Sequence, residues 1–144
     1  MSAALDANLL LFASDESSPF HARASAFLDG VVEGPEIVYL FWPVLMAYLR
    51  IATHAGIFRS PLPPEDAMAN VEALLGLSHV QSPGEQGRFW PAFRSVADPA
   101  AVRGNLVPDA HLVALMRQND VPTIFTHDRD FRRFDGIEVQ DPLG

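Results

Sequence analysis

Apolar and polar positions along the chain switch between two periods. Short apolar runs occur at AALD (3–6), EIVYL (36–40), PTIFTHD (122–128) and IEVQ (137–140), and their length and spacing predict strands. The first ends at Asp6, the third leaves its strand at Thr126, and the last is expected at a sheet edge. HVQ at 79–81 is too short to assign by itself. Between these runs the apolar residues recur at helical spacing. NLLLFAS (8–14) reads as a helical turn. Ser18-Pro19 has the form of a cap followed by a first-turn proline, and Phe20, Ala24, Phe27, Leu28 and Val31 share one face of a helix that Gly34-Pro35 should stop. FWPVLMAYLRIATHAG (41–56) is apolar nearly all round, which predicts a central helix. PPEDAMANVEALLGL (63–77) carries acids in its first turn, where the helix dipole favours them. GEQGRFWPAFRSVAD (84–98) is a further helix that Pro91 should bend or interrupt. NLVPDAHLVALMRQND (105–120) has Asn105 as its expected N-cap and Leu112, Leu115 and Met116 on one face. RDFRRF (129–134) is a short helical turn.

Strands alternate with helices throughout, so the expected fold class is α/β, with a mainly parallel sheet covered on both faces and any site at the carboxyl ends of the strands. At 144 residues, with no repeat, low-complexity tract or evident linker, the whole of 1–144 reads as a single domain.

Composition narrows the chemistry. Apolar residues make up 49% of the chain and mean hydropathy is +0.10, the balance of a globular protein. No apolar run is long enough for a membrane span. The N-terminus lacks a cationic region and its apolar stretch is interrupted by Asp6 and Asn8, so no signal peptide is expected and the cytoplasm is the expected compartment. Cysteine is absent, which removes disulfides, thiolate nucleophiles and cysteine-held zinc. All ten cationic residues are arginine, so lysine chemistry is excluded as well. A net charge of −8 argues against a protein that coats nucleic acid, but not against an enzyme whose carboxylates hold a cation beside a phosphate.

Three acids occupy comparable places in this scheme. Asp6 ends the first strand, Asp128 lies just past a later one, and Asp109 opens the helix before it. Mg²⁺ and Mn²⁺ take oxygen ligands and keep several waters, so two or three converging carboxylates suffice to hold one near a phosphodiester. Each acid also has a simpler reading: Asp109 as a charge favoured by a helix N-terminus, Asp128 as the N-cap of the turn after it, Asp130 as a supporting residue or a partner of Arg133. Asp6 is harder to place that way, because a carboxylate between apolar residues must be solvated, paired or metal-bound. His111 and His127 lie near the same acids, but no histidines stand at the i, i+3 or i, i+4 spacing of zinc hydrolases. His127 should point away from the face shared by Thr126 and Asp128. Arg129, Arg132 and Arg133 form a basic cluster beside these acids.

LDANLLLFA with Asp6, GNLVPDAHLVAL with Asp109, and IFTHDRDF with Asp128 and Asp130 together resemble the PIN-domain ribonucleases, and among them the VapC-type toxins of bacterial toxin–antitoxin pairs. The resemblance runs over nearly the whole chain in the right order. It implies a three-layer α/β/α fold and endonucleolytic RNA cleavage dependent on Mg²⁺ or Mn²⁺, with transfer RNA or ribosomal RNA loops among the family's targets. It also implies inhibition by a small VapB-type antitoxin, and homodimers are common in the family. Asp6, Asp109 and Asp128 become the expected metal ligands, with Asp130 in the catalytic set and Arg50 and Arg129 as expected substrate contacts. One departure stands out. The family places a glutamate in the helix after the second strand, and here that position falls near Ala47 or Tyr48. Asn8 is the expected substitute, as a neutral oxygen donor. The alternative reading is a catalytically weakened PIN-fold module that binds RNA or a protein partner. A receiver-like phosphotransfer domain shares the coarse topology but generally needs a lysine that this chain lacks.

Overall fold

A computed structural model describes residues 2–144. Strands β1 (Ser2–Leu5), β2 (Ile37–Tyr39), β3 (Val80–Gln81), β4 (Thr123–Phe125) and β5 (Glu138–Gln140) form one sheet in the order β3-β2-β1-β4-β5. Every neighbouring pair is parallel, including both edges. The helices are α1 (Ala7–Ser14), α2 (His21–Glu33), α3 (Trp42–Ala52), α4 (Pro64–Leu75), α5 (Phe89–Ala100) and α6 (Leu106–Gln118), and a short 3-10 turn spans Arg129–Arg133. The α/β class and its parallel sheet follow from this order. The HVQ fragment is a strand after all, because Val80 and Gln81 pair with Val38 and Tyr39; the partner, not the fragment, makes it one.

From β1 the chain steps to β2 and β3, then returns past β1 to β4. Right-handed crossovers therefore put α1–α4 on one face and α5 and α6 on the other. On the first face the ring of Phe27 in α2 packs at 5.0 Å from that of Phe125 in β4. The second face is closed chiefly by α6, whose Ala110 and Leu112 through Met116 are all buried between its neighbours. Ala4, Leu5, Leu9, Leu45 and Ile124 complete the centre of the core, each fully buried. Among the described residues no helix is long and apolar enough to cross a membrane.

Several local expectations need correction. Ser18 does not cap α2, which starts at His21. Its hydroxyl instead accepts from the Phe20 N–H and its carbonyl from His21, making a separate turn ahead of the helix. Pro91 interrupts nothing, because α5 begins at Phe89 and places it in the first turn, where a missing N–H has no intrahelical partner to lose. Asn105 makes no side-chain cap, since its backbone is already helical at φ −68 and ψ −10. Helix α3 is not central: Val44, Leu45, Tyr48 and Ala52 face the core, whereas Trp42 and Met46 are exposed.

Replacing Ile124 by Ala should cost about 2–5 kcal/mol, because a fully buried residue in the middle of the sheet leaves a cavity that its neighbours fill only in part. Urea unfolding of the two proteins measures this. A difference below about 1 kcal/mol would mean that β4 is not at the centre of the core.

Candidate active site

The strand order reverses between β1 and β4, which opens a crevice at their carboxyl ends. Leu5 is in register with Phe125, and the Asp6 N–H donates to the Phe125 carbonyl at 3.0 Å, so the next residues, Asp6 and Thr126, leave the sheet side by side. Asp6 leaves in extended conformation and caps α1, its Oδ1 accepting from the Ala7 N–H at 2.7 Å. Asp128 caps the 3-10 turn in the same way, Oδ1 accepting from the Asp130 N–H at 2.9 Å. The cap reading of Asp128 is thus correct, and it leaves a second carboxylate oxygen outside the cap.

Thr126 organises these groups, a role that sequence reasoning did not give it. It is 1% exposed. Its hydroxyl donates to Asp6 Oδ2 at 2.8 Å and accepts from Asn8 Nδ2 at 3.1 Å and from the Asp128 N–H at 2.9 Å. One proton and two lone pairs are all used, which is the full capacity of a hydroxyl. The signal was present in the alternation that puts Thr126 and Asp128 on one face; what it omitted was that the hydroxyl would be the connector.

Carboxylate oxygens of Asp109, Asp128 and Asp130 all lie within 4.8 Å of one another. Asp109 reaches the group from the first turn of α6, and Asp130 from the exposed side of the 3-10 turn. Asp6 stands just outside this triplet, with both of its oxygens engaged: Oδ1 by Ala7 and Oδ2 by Thr126 and, at 3.4 Å, by the Asn8 amide. Its charge is nonetheless felt. The Asp109 carboxyl is pushed up to about 7, first by its burial and then by the charges of Asp128, Asp6 and Asp130. Asp6 is also raised, by burial first, against which the bonds from Thr126 and Ala7 act, with Asp128 adding to the rise. Burial and mutual repulsion, with no donor among the described residues helping Asp109, are the condition that a cation would relieve, and the all-oxygen donor set suits a hard divalent ion. The residues present therefore fit such an ion.

The remaining expected residues fall as follows. Asn8 does not offer its oxygen to the site. Its amide nitrogen faces Asp6 and Thr126, because a carboxylate only accepts, and its oxygen accepts instead from the His127 N–H at 3.4 Å. Ala47 and Tyr48 bring no acid. The Tyr48 hydroxyl is buried against Ser14 Oγ at 2.7 Å and Asn70 Nδ2 at 2.9 Å. Arg50 is exposed in the last turn of α3, eight residues and so about 12 Å of helix axis from Trp42. Arg129, Arg132 and Arg133 are exposed along the 3-10 turn. The His111 ring pairs with Glu85 at 2.6 Å, holding that carboxyl below its usual range, and the His127 ring turns to Asp141 at 2.8 Å. Both histidines are thus committed away from the acids.

Comparison with known proteins identifies the fold and the family. Ribonuclease VapC48 of Mycobacterium tuberculosis is 49% identical over 143 residues, spanning 99% of each chain. Two solved structures share the fold at a TM-score of 0.67. One is M. tuberculosis VapC20, described as a Sarcin-Ricin loop cleaving toxin, at 16% identity over 94% of this chain and 98% of that one. The other is VapBC2 from Rickettsia felis bound to a DNA fragment from its promoter, at 13% identity over 98% of both chains. The PIN domain family model matches residues 3–137, and with it and the VapC relative spanning the same length, the chain belongs to the PIN-domain family.

Proposed function

We infer that this protein is a metal-dependent endoribonuclease, the toxin of a VapBC-type toxin–antitoxin pair, with residues 1–144 acting as one PIN-like domain. The observation that carries this reading is the convergence of Asp109, Asp128 and Asp130 beside the Asp6–Thr126 pair. Asp109, Asp128 and Asp130 would hold the ion, with Asp6 joining them directly or through water; Mg²⁺ and Mn²⁺ are the candidates. When bound, such an ion neutralises charge on the scissile phosphate and makes water a competent nucleophile at neutral pH. The chain's own residues supply the rest. Thr126 fixes the spacing of Asp6 and the Asp128 backbone, so the carboxylates need not reorganise during the reaction. Arg129, exposed next to Asp128, would meet an RNA phosphate, and Arg50, exposed on α3, would grip the backbone further along. The substrate is a structured RNA with an unpaired loop, such as transfer or ribosomal RNA, in the cytoplasm.

The antitoxin has a ready groove. Leu10, Leu28, Val32, Leu62, Val71 and Leu74 line a cavity of about 400 Å³ between α1, α2, α3 and α4, with Ser14 and Tyr48 also in its lining. An amphipathic helix of a VapB-type partner fits such a surface. Exposed Trp90, stacked on Phe93 at 5.6 Å, is a natural contact for a second copy in a homodimer.

Antitoxin-free protein should cut total cellular RNA into discrete fragments with Mg²⁺ or Mn²⁺ and fail to do so in EDTA. Asp109→Asn and Asp6→Asn, both of which preserve shape, should lower the rate by a factor on the order of 100 or more. Folded protein without metal-dependent cleavage would favour the weakened binding module, to which the acid-free helix α3 points.

A second expectation concerns pH. The Asp109 carboxyl is raised from 3.8 to about 7 in the folded chain, so from about pH 4 to pH 7 the native state holds a proton that the unfolded chain has released. Stability of the metal-free protein should fall as pH rises through that window and stay low above it. Asp109→Asn should flatten that fall and raise stability at pH 8 by on the order of 1 kcal/mol, the carboxyl being partly screened by solvent. Thermal melts in EDTA from pH 4.5 to 8 measure this. An equally steep fall in the variant would remove Asp109 as its source.

A further inference from the structure

Between β4 and the 3-10 turn the chain bends at His127, with the Asp128 N–H held by the Thr126 hydroxyl on one side of it, so the aim of Asp128 is coupled to the anchorage of His127. That anchorage is built from several parts of the chain. The His127 Nδ1 donates to Asp141 Oδ2 at 2.8 Å. Its ring lies 4.6 Å from the ring of Phe20 and 5.8 Å from that of Phe12. Its backbone N–H reaches Asn8 Oδ1. A carboxylate only accepts, so Nδ1 carries the proton in this bond.

Asp141 is itself fastened. It follows β5, whose Gln140 carbonyl accepts from the Thr126 N–H at 3.0 Å. Its Oδ1 accepts from the Leu143 N–H at 2.9 Å, Leu143 is buried at 1% exposure, and the Leu143 carbonyl accepts from Arg23 Nη1 at 2.6 Å. The turn at 141–144 thus joins α2, β5 and the loop that presents Asp128.

We propose that His127 and Asp141 are positioning residues for Asp128, and that the 141–144 turn is a working part of the active site through them. The proposal rests on the reading of Asp109, Asp128 and Asp130 as the metal site. Neither residue belongs to the carboxylate cluster itself. Their effect passes through the Thr126–Asp128 backbone, as groups that orient metal ligands from behind commonly do.

The test is Mn²⁺ affinity of antitoxin-free protein by titration calorimetry, with kcat and KM for RNA cleavage alongside. His127→Phe keeps a ring between Phe12 and Phe20 and deletes only the bond to Asp141, so it should fold and carries the decision. It should bind Mn²⁺ roughly 10–100-fold more weakly and lose kcat more than KM. His127→Asn, whose amide nitrogen can take the place of Nδ1, should recover most of the affinity. Asp141→Ala, which also releases the Leu143 N–H, should weaken binding at least as much as His127→Phe, and the two together should do no more than Asp141→Ala alone, because the pair acts as one unit. A His127→Phe protein with wild-type Mn²⁺ affinity and kcat, even with a lower melting temperature, overturns the proposal, since a purely structural role predicts that result. Asp109→Asn separates this failure from that of the site itself. If it loses Mn²⁺ while His127→Phe does not, only the positioning role fails; if it keeps Mn²⁺, the metal-site reading fails and the proposal with it.

Discussion

The buried hydroxyl of Thr126 donates to the side chain that ends β1 and accepts from the backbone that follows β4, so it ties the chain together where the strand order reverses. The rest of the site depends on that tie. Parallel strands diverge into helices at their carboxyl ends, and an open crevice there holds no fixed geometry of its own. A hydroxyl with one proton and two lone pairs, all engaged, converts two loosely related loops into a frame of defined spacing. Removing it would leave the Asp6 oxygen and the Asp128 N–H without this partner in a region where water is scarce, a loss typically about 1–3 kcal/mol.

On that frame the chain assembles charges that repel one another. Asp109 is half-buried and surrounded by Asp128, Asp6 and Asp130, and its carboxyl has moved to about 7 as a result. Such an arrangement lowers the stability of the fold while the site lacks a cation. Elsewhere the fold is conventional: an all-parallel sheet closed by helices on both faces, with α6 buried on nearly every side. The helix that must pack most tightly is also the one that delivers Asp109, so the strain at its first turn is held by the apolar contacts of Leu112 through Met116.

Much of this architecture was legible in the sequence because apolar periodicity is set by burial, and burial is what an α/β fold repeats. The order of strands and helices, and the placement of Asp6 and Asp128 at strand ends, came from that pattern. What it missed was decided by local competition or by partners. Ser18 and Asn105 have the composition of caps, yet Ser18 sits in a separate turn and the Asn105 backbone is already helical. Helix α3 looked central because Trp42 and Met46 are apolar, and a period counts such residues as buried whether or not anything covers them. The orientation of Asn8 was not readable at all. It follows from the acceptor-only character of the Asp6 carboxylate beside it, which turns the amide nitrogen inward and sends the oxygen to His127.

The family's missing glutamate changes the electrostatics more than the geometry. With Ala47 and Tyr48 in its place, the Tyr48 hydroxyl is committed to Ser14 and Asn70, and α3 contributes no negative charge to the crevice. A divalent ion at the proposed site would then face fewer carboxylates and be held less tightly, but the site would also repel an incoming phosphodiester less. In a chain of net charge −8, whose ten cations are all arginine, that second effect matters, because few positive groups are available to offset repulsion of RNA. Arg129 and its neighbours stand on the same short turn as Asp128 and Asp130, so positive charge and two of the three clustered carboxylates lie within six residues of chain. Under the proposed reading, a metal held weakly by the free protein would be held more firmly once a substrate phosphate added its own oxygens, and RNA binding and metal binding would then reinforce one another.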